Sequence, residues 1–420
     1  MDFFSYHQGE LFCEDVSVAG IAQEVGTPVY IYSMKTILMH LERLRSAFRE
    51  VSPLICYSVK ANASGRILSR LAASGCGFDV VSGGELYRVL RARGTPDKIV
   101  FSGVGKSDDE IAYALAQGIL LFNVESRGEL DNINAIAQEK GQVAPVAVRV
   151  NPDVDSATHT YITTGRKENK VGLDLEKAEQ VAEYSKSLSH VKMRGVHMHI
   201  GSQITDVWPY VQALSKVLEF ARRIRRNGQD VEYLDAGGGF GIHYRGEEAR
   251  AASEFAQAMV PLVKKSDLRL ILEPGRFLVG NAGILLTKVL YVKENGKRFA
   301  ICDSGMNHLI RPALYGAYHR VWPALSALKE PGEGETREGL LVYDVVGPVC
   351  ESADFFAKDR PLPPLKRGDL LAVFSAGAYG MVMSSNYNSF PRPAEVLVEG
   401  REWQVARKRE TYEDIVRGES

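Results

Sequence analysis

The stretch CYSVKAN at 56–62 runs an apolar, β-prone segment, Cys56, Tyr57 and Val59, straight into Lys60. An ammonium at the end of a buried strand is costly to desolvate. Lys60 therefore either reaches solvent along its own aliphatic stem or acts as an amine toward a carbonyl. Other chemically capable side chains recur in the same kind of place. Asp79 lies in the apolar run at 77–82 and leads to Glu85, His197 and His199 close the run at 191–199, and Glu273 closes the run at 269–273 with Arg276 just beyond. LDAGGGFG at 234–241 sets Gly237, Gly238 and Gly239 directly after a further run. Bare backbone amides there can surround an oxyanion. Taken alone, the three glycines read equally as a tight turn, because their spacing is not that of a P-loop or a dinucleotide fold. EPGR at 273–276 offers a carboxylate and a guanidinium around a Pro-Gly turn, which a surface ion pair would also use.

HMHIGS at 197–202 puts two imidazoles on one side of a strand at i and i+2. That is half of a metal site, but further ligands would have to come from other strand ends, and most of the remaining histidines lie elsewhere in the chain. Stacking of His199 on a flat cofactor, with His197 behind it, fits better, and no metal is expected. A lysine, a glycine-rich anion site, a stackable imidazole and a strand-end carboxylate together describe a pocket for pyridoxal phosphate. The amine condenses with the aldehyde, the glycines hold the phosphate, the imidazole covers one face and the carboxylate pairs with the pyridine nitrogen. Lys60 is then tolerated at its strand end because it is no longer a free ammonium.

Something must bring these residues to one place. Between residues 54 and 273 there are eight short apolar, β-branched-rich runs, at 54–59, 77–82, 98–102, 120–124, 145–150, 191–199, 232–236 and 269–273. Most are nearly continuous rather than alternating, as strands buried on both faces are. Helical periodicity fills the intervals, as in GRILSRLAASG and SDDEIAYALAQG, with Ser or Gly at the start and Gly at the close. The first four runs recur about every 22 residues, the length of one strand-loop-helix-loop unit. Eight such units predict an α/β fold of the (β/α)8 barrel type. An open doubly wound sheet would use the same alternation, but no dinucleotide fingerprint follows the first strand. Active sites of such barrels lie at the C-terminal ends of the strands, where the residues named above sit.

After about residue 276 the texture changes to short β runs punctuated by Asn-Gly, Gly-Asp and Glu-Gly, which predicts an all-β second domain. The segment KEPGEGETREG at 329–339 reads as an exposed loop. The 420 residues are 45% hydrophobic and 25% charged, with a formal net charge of −1. That balance argues against nucleic acid or an anionic membrane as the main partner. Five scattered cysteines without CxxC spacing suit a reducing cytosol rather than a disulfide framework or a zinc site. The amino terminus lacks a basic segment followed by an apolar run, and no stretch approaches the ~18 consecutive apolar residues of a membrane span. A soluble cytoplasmic protein is expected.

In order along the chain stand YSVKAN (57–62), GCGFDVVSGGEL (75–86), NPDVDSATHTYITTGRKENKVGL (151–173), HMHIGSQI (197–204), LDAGGGFG, EPGR, MNHLIRPALYGAYH (306–319), GPVCESADFFAKDRPLP (347–363) and GAYGMVMSSNYNS (377–389). This series resembles the fold-type III pyridoxal-phosphate decarboxylases, an alanine-racemase-like barrel family. Within it the closest match is the branch that acts on meso-2,6-diaminopimelate. The likeness runs from about residue 26 to 398, nearly the whole chain. It implies a pyridoxal-phosphate-binding barrel over 29–275 and a β-sandwich or Greek-key domain made of 1–28 and 276–420. Carried over residue by residue, it implies that Lys60 is the lysine bonded to the cofactor, that Asp79 sits beside it, that His199 stacks on the ring and that Glu273 pairs with the pyridine nitrogen. Ser202, Gly237, Gly238, Gly239, Gly275, Arg276 and Tyr379 would surround the phosphate. Arg276, Arg311, Tyr315 and Tyr379 would hold the far end of the substrate. Cys350 and Glu351 would come from the other subunit of a homodimer, with Cys350 the proton donor. Ala353, Val171 and Phe390 depart from the family's usual Gly, Phe and Arg, and none stands at a position with a chemical role.

Two arginines and a tyrosine suit a distal carboxylate, and Glu351 suits a distal ammonium. meso-Diaminopimelate has both and ornithine lacks the carboxylate. The expected reaction is loss of one carboxylate as CO2 to give L-lysine, the last step of lysine biosynthesis. Rival readings are a decarboxylase of another basic or carrier-tethered amino acid, a metal-dependent barrel hydrolase built on His197 and His199, and a non-catalytic cofactor carrier.

Overall fold

Eight buried runs spaced by helices can close on themselves only if every strand pairs in parallel with both neighbours, and they do. In the computed structural model, which describes residues 3–154, 171–245, 249–330 and 338–420, the strands β1 (Leu54–Ser58), β2 (Gly77–Val80), β3 (Ile99–Phe101), β4 (Leu121–Val124), β5 (Ala144–Val150), β6 (Val191–Met198), β7 (Tyr233–Asp235) and β8 (Arg269–Leu272) form a closed parallel barrel in chain order. β8 pairs back onto β1 through Ile271 opposite Leu54. Cys56, Val100, Leu121, Ala147, Tyr233 and Ile271, from six different strands, fill part of the interior. The barrel is a packed core whose polar chemistry is confined to its ends.

The helices start where the sequence supplies caps. Gly83–Arg91 opens on Ser82, whose hydroxyl accepts the Glu85 N–H, and Arg127–Glu139 opens on Ser126, which accepts from Glu129. Asp108–Gln117 has a full capping box of Ser107 with Glu110 and closes on Gly118 at φ 69°. Two segments of the expected pattern, 155–170 within the NPDVDS motif and 331–337 within the charged loop, lie outside the described residues.

The chain divides into two compact units, His40–Ile242 with Ala249–Phe277, and Met1–Met39 with His243–Glu248 and Leu278–Ser420. In the second, a three-stranded sheet (Phe4–His7, Glu10–Cys13, Val16–Ser17) accompanies a nine-stranded one. Hairpins turn at Gly296, between Gly283–Asn295 and Lys297–Cys302, and at Gly400, between Ala394–Glu399 and Glu402–Arg407. Both glycines have positive φ, as the Asn-Gly and Glu-Gly signals require. The boundary expected at 28/29 differs from this division. Val29–Ser33 is not a barrel element, since it pairs antiparallel with Gly283–Asn295 and parallel with Ala394–Glu399. All five of its residues are buried, but it is the nine-stranded sheet that buries them.

Candidate active site

The C-terminal ends of the strands deliver the reactive side chains to one mouth of the barrel. β1 passes into a short turn, Val59–Ala61, that carries Lys60. Asp79 is the third residue of β2, His197 lies near the end of β6 with His199 just past it, Asp235 is the last residue of β7, and Glu273 follows β8 directly. Lys60 Nζ lies 2.7 Å from Asp79 Oδ2, with the lysine side chain 35% exposed and the aspartate fully buried. Ser58 Oγ stands 2.8 Å from the same Asp79 oxygen and 3.0 Å from the Glu273 carbonyl, tying the ends of β1, β2 and β8 together. Glu273 Oε2 is 3.5 Å from His197 Nε2, both side chains buried. His197, Asp235 and Glu273 bring ligand-capable atoms within 4.8 Å of one another, a set that the sequence did not assemble around His197.

Charge in this space is settled by competition. Burial pushes the Asp79 carboxyl up and Glu273 adds to that, against the opposing ammonium of Lys60, and the outcome is above the usual carboxylate range. Burial also works to raise Glu273, but the imidazole of His197, with the ammonium of Lys60, outweighs it and holds Glu273 below that range. Desolvation, reinforced by the charges of Arg149 and Lys60, keeps the His199 imidazole well below its ordinary value. The geometry agrees, because His199 Nδ1 accepts the Gly238 N–H at 3.3 Å and so carries no proton there. The expected stacking ring is thus neutral. Glu85, close to Asp79 and Lys60, is pushed up to about 7 mainly by burial.

After β7 the backbone turns through Gly237 at φ 69° and Gly239 at φ 101°. The turn is pinned on several sides. Gly237 N–H donates to Asp235 Oδ1 (2.9 Å), Tyr210 Oη donates to the Gly238 carbonyl (2.7 Å) and the Glu273 N–H donates to the Gly237 carbonyl (2.8 Å). A Cβ on Gly238 would stand 2.0 Å from the Glu273 carbonyl oxygen, backbone that cannot step aside. Gly238→Ala is therefore expected to lower stability by about 3 kcal/mol, the upper end of overpacking costs. Denaturant unfolding of the full chain checks this, and an unchanged midpoint would mean that the turn is not so confined. Beside it Arg276 Nη2 donates to Ser202 Oγ at 3.1 Å, and Gly275 packs against Ala61 and Ser58.

The remaining sequence-predicted residues belong to the other compact unit. Arg311 opens the short helix Arg311–Tyr315 and is 6% exposed. Its Nη1 donates to His319 Nε2 at 2.8 Å, which leaves the His319 Nδ1–H to donate to the Phe374 carbonyl. The Arg311 guanidinium also sits 4.9 Å from the centre of the Tyr244 ring. Tyr315 ends the same helix, half-buried. Tyr379 holds φ at 56°, a left-handed backbone rarely adopted by an aromatic residue and often kept at functional positions. Cys350 is exposed, its N–H donating to Asn388 Oδ1, and Glu351 accepts from the Tyr387 hydroxyl at 3.0 Å.

A family model described as "Pyridoxal-dependent decarboxylase, pyridoxal binding domain" matches residues 34–280. The chain is 48% identical over 421 residues to the diaminopimelate decarboxylase of Pseudomonas aeruginosa, covering 100% of this chain and 99% of the relative. It is 46% identical over 417 residues to that of Aquifex aeolicus, covering 99% and 96%. The chain belongs to the diaminopimelate decarboxylase family. The crystal structure of the Helicobacter pylori member, complexed with L-lysine, superposes with a TM-score of 0.90 at 42% identity, covering 96% of this chain and 98% of that one.

Pyridoxal phosphate is the cofactor of this family, and the barrel mouth fits it. Glu273 Oε1 is buried without a donor among the described residues, and a ring N–H would satisfy it. The glycine turn and the Ser202–Arg276 pair suit a phosphate. Lys106, whose side chain is buried at this end, is a poorer candidate for the aldehyde. Its ammonium is used up by the carbonyls of Gly103 and Asn123 and by Glu129. Lys60 instead lies beside Asp79, whose carboxyl is itself reluctant to ionise.

Several residues of the site were not singled out in the sequence. Asp235 was hidden in LDAGGGFG, although an acid at the end of an apolar run is the same signal that marked Glu273. Ser58 gave none, since a serine one residue before a helical turn looks like a cap. The buried pair of Arg149 Nη1 and Glu125 Oε1 (2.8 Å), whose second oxygen takes the Gly172 N–H, joins the ends of β4 and β5 to the chain beyond 170. Both residues sit at strand ends, which was the available clue.

Proposed function

We propose that this chain removes one carboxylate from meso-2,6-diaminopimelate as CO2 and forms L-lysine, with pyridoxal phosphate held at the barrel mouth. The observation that carries this reading is the full-length identity to diaminopimelate decarboxylases, not limited to the cofactor-binding part. L-Lysine, bound in the Helicobacter pylori structure, would be the product. Bound at Lys60, the cofactor supplies an electron sink for the pair left when the bond from Cα to the carboxylate breaks. In this reading Lys60 Nζ holds the cofactor and later releases the amine, and Asp79 orients that nitrogen. The neutral His199 ring covers one face and keeps water from it. Ionised Glu273 keeps a proton on the ring nitrogen. Ser202, Gly237, Gly238, Gly239, Gly275, Arg276 and Tyr379 bind the phosphate.

At the far end of the substrate, Arg311, Tyr315 and Arg276 take the distal carboxylate and Glu351 the distal ammonium. Cys350 gives the proton that replaces CO2 at Cα. Cys350 and Glu351 act in a neighbouring subunit, so the active form is a homodimer. An exposed Cys350 and an exposed Glu351 are compatible with that role. Five free cysteines, four of them buried, support a reducing cytoplasm as its place. Among the described residues no helix is long and apolar enough to cross a membrane. The hydrolase reading is set aside because His197 and His199 turn to different partners, Glu273 and the Gly238 amide.

Arg311→Ala is expected to raise KM for diaminopimelate on the order of 100-fold, with a smaller effect on kcat, as loss of one charge-assisted contact of about 3 kcal/mol would do. An unchanged KM would remove the arginine from this role. The proposal as a whole is tested by measuring CO2 and L-lysine from meso-diaminopimelate beside ornithine, arginine and lysine. Equal amounts of both products from diaminopimelate, and little from the others, is the expected result. Preferential release from ornithine would overturn it.

A further inference from the structure

Asp235 is fully buried at the end of β7, and among the described residues no ion pair is formed by its carboxyl. Its Oδ1 accepts the Gly237 N–H at 2.9 Å, while its Oδ2 is buried without a donor among the described residues. The neighbouring strands set what surrounds it. Glu273 follows β8 on one side, His197 lies in β6 on the other, and Cys56 and Asp79 face it from β1 and β2. Asp235 and Glu273 stand close enough for their oxygens to lie within 4.8 Å. Two buried carboxyls that share one site disfavour each other's charge, which favours a proton on one of them.

We propose that Asp235 is the one that keeps it, and that as a neutral acid it donates a hydrogen bond to the Glu273 carboxylate while its other oxygen holds the Gly237 N–H. It is a positioning residue. One side chain then joins the two ends of the cofactor cradle, the glycine turn on the phosphate side and the acid on the ring-nitrogen side. The assignment of the proton follows from the surroundings. Glu273 has His197 Nε2 at 3.5 Å to favour its charge, whereas Asp235 meets mainly burial and other acids. The arrangement leaves the pair one negative charge, on Glu273, whose two oxygens then serve His197, Asp235 and the ring nitrogen between them. This rests on the pyridoxal-phosphate reading of the site above.

Asparagine reproduces a neutral acid here, with an acceptor for Gly237 and a donor for Glu273. In the holoenzyme, Asp235→Ala is expected to lower kcat by about tenfold or more, the change in ionised fraction that one pKa unit represents, and to change the absorbance of the bound cofactor, with KM altered less. Asp235→Asn is expected to rescue both, to within about threefold of the parent. A variant as impaired in its asparagine form as in its alanine form would show that Asp235 is ionised, and an alanine variant with parental kcat and spectrum would show that it positions nothing. Either result overturns the inference. If Asp235→Ala does not fold, the infrared difference between the parent and Asp235→Asn at neutral pH decides the matter. A protonated carboxylic acid carbonyl band in the parent that is lost in the variant is expected, and its absence overturns the inference. Borohydride fixation of the cofactor and CO2 release by the parent enzyme report on the decarboxylase reading separately, so the two can fail independently.

Discussion

Lys60→Ala is expected to lower kcat for CO2 release by about 1,000-fold or more and to remove the visible absorbance of the lysine-bound cofactor, within the range of losses for a positioned proton-transfer or nucleophilic group. The expectation follows from the position of one amine. Lys60 Nζ sits 2.7 Å from Asp79 Oδ2 at the mouth of the barrel, part-exposed, while the buried Lys106 at that end is held by two carbonyls and Glu129. Alanine also removes the cation that opposes Asp79's burial, so a charge effect could imitate a chemical one. Lys60→Arg separates them. A guanidinium can still face Asp79 but does not condense with an aldehyde at neutral pH. Both variants are expected to be inactive, and measurable turnover with diaminopimelate in Lys60→Arg would show that the amine is not the reacting group.

Glu273→Gln is expected to lower kcat by at least about 100-fold, with a smaller change in KM, because it removes preorganised charge rather than bulk. The residue is 3% exposed, its carboxyl lies 3.5 Å from His197 Nε2, and its backbone carbonyl accepts from the Ser58 hydroxyl. Its ionisation is favoured by His197 and Lys60 against the effect of burial. An amide keeps the shape and can still accept a hydrogen bond, but it holds no charge to retain a proton on a ring nitrogen. The substitution also leaves Asp235 without a charged neighbour to receive its hydrogen bond. Steady-state kinetics and the spectrum of the bound cofactor check the expectation, and a kcat equal to the parent's would mean that the ring nitrogen is held by another group.

The barrel was legible because its strands are buried on both faces. Runs such as 77–82 and 145–150 are almost uninterrupted apolar segments, and each appears in the structure within two residues of its expected bounds. The start at residue 29, which the family likeness implied rather than the texture, is where the structure differs, since Val29–Ser33 pairs within the nine-stranded sheet. The site was legible where a polar residue interrupts an apolar run at its C-terminal end, as at Lys60, His199 and Glu273. It was less so where the role depends on a neighbour brought in by the fold. Asp235 means little without Glu273 one strand away, and Ser58 means little without Asp79 and the Glu273 carbonyl. Arg149 and Glu125 each look like an ordinary surface charge until β4 and β5 pair and bury them.

Borohydride reduction of the purified holoenzyme, followed by proteolysis and mass mapping, tests the central claim most directly. The account predicts bleaching of the cofactor and a single pyridoxyl addition on the peptide that contains Lys60, with trypsin no longer cleaving after that residue. Protein that stays colourless with added pyridoxal phosphate, or an addition found on Lys106 or elsewhere with Lys60 unmodified, would contradict it.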